Sequence, residues 1–135
     1  MKKMILLAAS LLLFAAAAFA QEPAKPYKVY CAFVSETRVL SYECEVDMDY
    51  GQEASSWTTD RRLYDEKGKT LKFNSVMDAV NYLGRKGWVL EECSQVLTPT
   101  NVGSDNPSYR WIMSKMITDD SQILEGLITG AMLKK

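Results

Sequence analysis

Three cysteines are the residues of this chain whose types and spacing point most directly to chemistry. Cys31 and Cys44 lie on two segments that alternate apolar and polar residues. If these segments pair as a hairpin that turns at Thr37 and Arg38, the two cysteines lie opposite each other in a non-hydrogen-bonded pair, close enough for a disulfide. The spacing therefore predicts a Cys31–Cys44 disulfide in an oxidising compartment, with two buried thiols as the alternative. Cys93 would remain as a free thiol.

Apart from the cysteines, the sequence contains few of the residues and motifs that are typical of catalytic or metal sites. The 135 residues include no histidine, which removes the commonest general base and the commonest metal ligand. The cysteines show no C-x-x-C spacing, so neither a zinc knuckle nor a thioredoxin-type redox motif is present. The sequence therefore predicts no catalytic residue, no metal and no cofactor.

An acidic stripe occupies one face of a predicted strand. Carboxylates two residues apart on a strand lie about 7 Å apart, which is too far for two neighbours to share one cation without help from a loop. We interpret the stripe as a solvated sheet face, with a Ca²⁺ site or a landing surface for a basic partner as alternatives. Its members are Glu43, Glu45, Asp47 and Asp49.

Three aromatic residues near predicted loops are candidate ligand contacts. Trp57 lies in a polar loop, while Tyr109 and Trp111 follow another loop. Exposed aromatic side chains stack on sugar rings or anchor a protein partner. The alternative is that Trp111 belongs to the core and that Trp57 fills a loop.

The first 20 residues have the pattern of a secretory signal peptide. Lys2 and Lys3 precede an almost unbroken apolar run, and a small-x-small cleavage site ends at Ala20. The run is short and rich in alanine, so we expect cleavage before Gln21 rather than a membrane span. The sequence predicts an exported protein, periplasmic or secreted, that is soluble after cleavage.

The rest of the chain is long enough for one domain with a core. Residues 21–26 carry two prolines and are predicted to be a flexible leader, followed by a single domain over 27–135. Period-two alternation in several segments favours an antiparallel sheet of about five to six strands. A helix over 75–86 has an apolar stripe at helical spacing, so it should pack on one face of this sheet.

The ends of that helix carry their own signals. Ser75 and Asp78 resemble a capping box, and Gly87 has the position of a left-handed C′ residue, which would pack Trp88 on Leu83. A second apolar stripe near the C-terminus predicts another helix, packed beside the first or reaching to a partner. The predicted fold class is therefore α+β.

The segment from Phe73 to Leu90, with a strand before it and the strand Tyr109–Lys115 after it, resembles domain of unknown function 4177. In that family a short helix is followed by Leu-x-x-x-Gly-Trp, a strand, a variable loop and a strand that ends in a basic residue. The corresponding residues here are Leu83, Gly87, Trp88 and Lys115. The resemblance covers mainly residues 62–117. It implies a small α+β fold, no established activity, and exported relatives in Bacteroides-like bacteria.

Charge narrows the class of partner. The chain has 16 basic and 17 acidic residues, and loss of Lys2 and Lys3 would increase the acidic excess. Binding of nucleic acid needs clustered basic residues, so no nucleic-acid partner is expected. The sequence favours a non-catalytic binding or interaction module with a protein or glycan partner, and the resemblance implies that it belongs to the bacterial cell envelope. The alternatives are a carboxylate-dependent hydrolase of glycans and a structural envelope subunit that oligomerises through a sheet edge or the C-terminal helix.

Overall fold

Three antiparallel strands form the central sheet, in the order β1-β3-β2. They are β1 (Tyr27–Glu36), β2 (Val89–Val96) and β3 (Ser108–Ile117). β3 is the middle strand and pairs with β1 and β2 along almost its whole length. The computed structural model describes residues 23–36, 42–53, 60–96 and 107–133. The predicted signal peptide lies outside these residues, as does the start of the leader.

The predicted count of five to six strands is wrong for the described residues, although the α+β class is confirmed. The other extended segments do not form ladders. They pair through isolated bridges, each of which joins a single pair of residues. Segment 42–50 crosses between the edge of β1 and two later segments. Its bridges join Ala32 to Asp49, Asp47 to Arg62, and Cys44 to Phe73.

The predicted hairpin register between the first two segments is also wrong. Its pairing would place Cys31 opposite Cys44, but Cys31 lies opposite Met113 of β3. Ala32 exchanges two backbone hydrogen bonds with Asp49, at 2.7 and 2.8 Å. The main partner of β1 is therefore the distant strand β3, and the following segment touches only its outer edge.

Helix α1 (Val76–Arg85) confirms the helix predicted over 75–86. The Ser75 hydroxyl accepts a hydrogen bond from the Asp78 N–H at 3.2 Å, as an N-cap does. At the other end, Gly87 has φ +90°, its N–H donates to the Gly84 carbonyl at 3.0 Å, and the Trp88 N–H donates to the Leu83 carbonyl at 3.2 Å. These bonds form the Schellman ending that the sequence predicts, so the chain reverses into β2 at once.

The two faces of the sheet differ in what covers them. Odd-numbered residues of β1 and β3, such as Phe33 and Met113, point toward α1 and the core. Even-numbered residues of these two strands point away, onto what we call the outer face, and so does Val89 of β2, which lies opposite Ser114. The buried core residues are Cys31, Phe33, Val46, Met48, Leu63, Phe73, Ala79, Leu83, Trp88, Met113 and Leu127.

Strand β2 carries an irregularity near its start. Its register on β3 shifts between Leu90 and Glu92, which leaves Glu91 as the extra residue of a β-bulge. The Glu91 carboxylate accepts hydrogen bonds from Lys28 Nζ at 3.0 Å and from the Ser114 hydroxyl at 2.5 Å. One carboxylate on the outer face thus links all three strands.

The predicted C-terminal helix is wrong over most of its length. A 3₁₀ turn at Asp120–Gln122 is followed by Gly126 in the left-handed region, with φ +73°. The chain then extends, and Thr129 bridges to Leu63 before a single helical turn, α2 (Gly130–Leu133). Backbone pairing with the 60–64 segment overrides the helical pattern here. No helix in the described ranges is long and apolar enough to cross a membrane.

Asp60 holds this C-terminal segment in place. Its carboxylate accepts hydrogen bonds from Arg62 Nε and Nη2, at 3.0 and 2.9 Å, and from the Tyr64 hydroxyl at 2.5 Å. Its carbonyl accepts the Ala131 N–H at 3.0 Å. Gly130 lies directly against this carboxylate, because a Cβ there would stand 2.6 Å from Asp60 Cβ and 2.7 Å from Asp60 Oδ2.

Asp60 should also make stability depend on acid pH. The Arg62 guanidinium beside it, with the Tyr64 hydroxyl, holds the pKa of this carboxyl well below its ordinary value. The stabilisation is complete above the ordinary aspartate pKa of about 4 and is lost as pH falls toward the lowered one. Between about pH 5 and pH 3 we expect the native chain to lose about 1 kcal/mol more than Asp60→Asn. Urea unfolding measures both, and equal losses would contradict the assignment.

Candidate functional site

The three cysteines lie in separate environments. Cys31 is buried opposite Met113, Cys44 is half-buried opposite Phe73, and Cys93 is exposed on β2. All three are free thiols in the structure. The pairing on which the Cys31–Cys44 disulfide was predicted is therefore absent, and both residues fill space at the core as small apolar side chains.

Thiol labelling gives a direct test of this arrangement. Burial raises the pKa of the Cys31 thiol to about 12, and burial also raises the pKa of Cys44. Because the thiolate is the reactive form, we expect Cys93 to react first with a disulfide reagent and Cys31 only on unfolding. The denatured, unreduced protein should titrate three thiols. A count of one would instead restore the predicted disulfide.

Two of the three candidate aromatic contacts, Tyr109 and Trp111, lie among the described residues, on the same face of β3. Trp111 is half-buried, stacks on Phe33 with ring centroids 6.3 Å apart, and donates its Nε1–H to the Ser35 hydroxyl at 2.8 Å. It therefore packs against the core, which is the alternative that the sequence left open. Tyr109 is half-buried near the same end of β3, and Trp57 lies outside the described residues.

The acidic stripe is solvent-facing, as the alternation predicts. Val46 and Met48 between its members are fully buried, whereas its four carboxylate residues are exposed. Arg61 Nε lies 2.9 Å from Asp47 and Arg61 Nη1 lies 3.9 Å from Asp49. Across the described ranges, no group of three or more Cys, Asp or Glu side chains is arranged to hold a metal ion. The Arg61 guanidinium therefore faces two of the four carboxylates of the stripe.

A cleft of about 530 Å³ opens between the acidic stripe and the outer face of the sheet. Its volume is in the range of small-molecule sites. Apolar side chains of β1 and β3 form one part of its wall, and two carboxylates and two guanidinium groups form the rest. The lining residues are Ala32, Phe33, Val34, Asp47, Asp49, Arg61, Arg110 and Ile112.

Sequence reasoning missed the two arginines of this cleft. Arg110 alternates with the predicted contact residues Tyr109 and Trp111, so strand periodicity already places it on the opposite face with Ile112. The signal that was lacking is the Ala32–Asp49 pairing, which brings Arg61 and the acidic stripe alongside that face.

The four residues that carry the family resemblance meet in one place. Leu83 and Trp88 are buried together in the core. The side chain of Lys115 runs across Gly87, where a Cβ would stand 3.3 Å from Lys115 Cε, and its Nζ donates to the Gln122 carbonyl at 2.7 Å. The helix end, the last strand and the turn after it are thus locked together. The resemblance itself stays a prediction, because the chain matches no family model, no curated protein and no solved structure.

Proposed function

We propose that this chain is an exported, non-catalytic binding module of the bacterial cell envelope, and that it binds through the outer face of its sheet. The observation that carries the proposal is the exposure of large apolar side chains on all three strands of that face. Tyr30 on β1, Met116 on β3 and Val89 on β2 are exposed to 57%, 57% and 61%. Grouped apolar exposure of this kind is typical of interaction surfaces.

The opposite, inner face of the sheet is covered, in contrast to the exposed apolar side chains of the outer face. There α1 packs with Ala79 and Leu83 fully buried, against Met113 and its neighbours. The stability of the domain therefore comes from the inner face, which leaves the outer face available for recognition. The Glu91 network with Lys28 and Ser114 holds the three strands in register under this surface.

The export part of the proposal rests on the signal-peptide pattern of residues 1–20, and the assignment to the envelope rests on the resemblance to domain of unknown function 4177. The non-catalytic role rests on two points: the family has no established catalysis, and the chain lacks histidine, the commonest general base.

Photo-crosslinking from single positions tests the binding face. A benzophenone amino acid replaces Tyr30 or Met116 on the outer face, and Met77 on α1, which is 48% exposed, provides the matched control. In intact producing cells we expect discrete crosslinked products from the two outer-face positions and none from position 77. Equal products from all three positions, or none from the outer face, would remove the basis for this proposal.

The same experiment separates the two alternatives. Crosslinks between two copies of the chain would favour the structural envelope subunit, which light scattering at several concentrations then checks. Within the part of the chain that the structure describes, the cleft with Asp47 and Asp49 is the location at which we test the hydrolase alternative. Turnover of a glycan substrate that is lost in Asp47→Ala or Asp49→Ala would replace the binding module with an enzyme.

A further inference from the structure

We propose that the cleft beside the outer face binds a small amphipathic monocarboxylate, with the carboxylate on Arg110 and the apolar tail along β1 and β3. The inference rests on the proposed binding function and names the class of ligand for one part of that surface.

The cleft exists because two extended segments separate after a single bridge. Ala32 and Asp49 exchange both backbone hydrogen bonds, and no further pair forms between β1 and segment 42–50 within the described residues. Alternate residues of a strand direct their N–H groups to the same edge, so the Val34 N–H points to this edge as the Ala32 N–H does. The Val34 N–H has no acceptor in the part of the chain that the structure describes, which leaves a donor at the cleft wall.

The charges of the cleft are unequally paired. Arg61 lies between Asp47 and Asp49, within 2.9 and 3.9 Å of their carboxylate oxygens. Arg110 is exposed and lines the same cleft, and its guanidinium has no ion-pair partner among the described residues. Arg110 is therefore the cation that remains for a ligand, and its planar fork suits a carboxylate.

The other residues of the cleft wall determine which tail and which charge a ligand can have. Ala32, Val34 and Ile112 present aliphatic surface next to Arg110, which suits an apolar tail. Asp47 and Asp49 oppose a second negative charge, because one unpaired guanidinium faces two nearby carboxylates. A monoanion thus fits this cleft better than a phosphate dianion, and a cationic head group would meet Arg110.

An NMR titration with hexanoate tests the assignment. In the full-length mature protein we expect saturable shifts at Ala32, Val34 and Ile112, and contacts from the hexanoate methyl group to the Val34 and Ile112 methyl groups. Hexanol, hexylamine and hexyl phosphate serve as probes with the same tail and a different head group, and each should bind at least tenfold more weakly.

Two arginine variants complete the test. Arg110→Gln should weaken hexanoate binding at least tenfold, since it removes a charge-assisted pair. Arg85→Gln, an exposed arginine in the last turn of α1, is the matched control and should leave binding unchanged. The methyl contacts are measured on the unmodified chain, so they decide the site even if a variant folds poorly.

Four results would overturn the inference. They are no saturable hexanoate binding, contacts outside the cleft, equal binding of hexanol, hexylamine or hexyl phosphate, and unchanged affinity in a folded Arg110→Gln. If the outer face crosslinks to a partner while hexanoate does not bind, only the ligand class fails. If neither occurs, the proposed binding function fails with it.

Discussion

Replacing Gly130 by alanine is expected to lower the free energy of unfolding by about 2–3 kcal/mol, the upper part of the range of about 1–3 kcal/mol seen when extra volume is forced into a filled site. The new Cβ would stand 2.6 Å from Asp60 Cβ, so either Asp60 or α2 must move. Asp60 cannot move freely, because Arg62 and Tyr64 hold its carboxylate. Urea unfolding of native and variant chains measures the loss, which should lower the melting temperature by about 10 °C.

The chain contains a matched control for this substitution. Gly84 lies inside α1, is exposed, and has nothing within 4 Å of the position where its Cβ would be. Alanine is the better helix former, so Gly84→Ala should stabilise the protein by about 0.5–1 kcal/mol. The same chemical change is thus expected to have opposite signs at the two positions. If both variants are stabilised, Asp60 does not lie against Gly130.

The second large effect is expected at Leu83. This residue is fully buried in α1 and packs in the core that joins the helix to the sheet. Leu83→Ala removes buried methyl groups and leaves a cavity, which costs about 2–5 kcal/mol. Equilibrium urea denaturation, followed by circular dichroism, measures the change. A loss of this size is a large fraction of the stability of an ordinary domain, so the variant should unfold well below the native melting temperature.

Met77, on the exposed side of the same helix, provides the comparison. Its side chain is 48% exposed, and alanine has at least as high a helix propensity as methionine. Met77→Ala should therefore change stability by less than about 0.5 kcal/mol. Comparable losses in Leu83→Ala and Met77→Ala would mean that α1 does not pack by the stripe that the sequence predicts.

Helix α1 and the strand after it were predictable because their signals are local. Ser75, Gly87 and Trp88 lie within one turn of the helix ends, and each acts through neighbours a few residues away. The extended structure of the two segments that carry Cys31 and Cys44 was predictable for the same reason, since alternation is readable within a single segment.

The errors concern contacts between distant segments. The link between the first two extended segments contains neither glycine nor asparagine, so no turn signal fixed their register, and β1 paired with β3 instead. The C-terminal stripe had helical spacing, but Gly126 and Gly130 weaken a helix there. Backbone bonds from Tyr64 to Ile128 and from Gly130 to Arg62 then stabilise the extended form.

The candidate site was only partly accessible to sequence reasoning. The exposure of Asp47 and Asp49 follows from alternation, and the structure confirms it. Their meeting with Arg61 and Arg110 depends on the single Ala32–Asp49 bridge, which joins segments whose pairing no local pattern specifies. A cleft formed by four separate segments is visible only after the chain has folded.

The bulge at Glu91 has a consequence for how this protein behaves when it is concentrated. Beyond β2, the described residues include no further paired strand, so its outer edge offers backbone groups that a neighbouring molecule can add to. A bulge interrupts the repeat that such stacking needs, and the exposed Glu92 adds a negative charge beside it. The bulge and the charge of Glu92 therefore both disfavour the addition of a further strand at this edge, which is the step by which filaments grow.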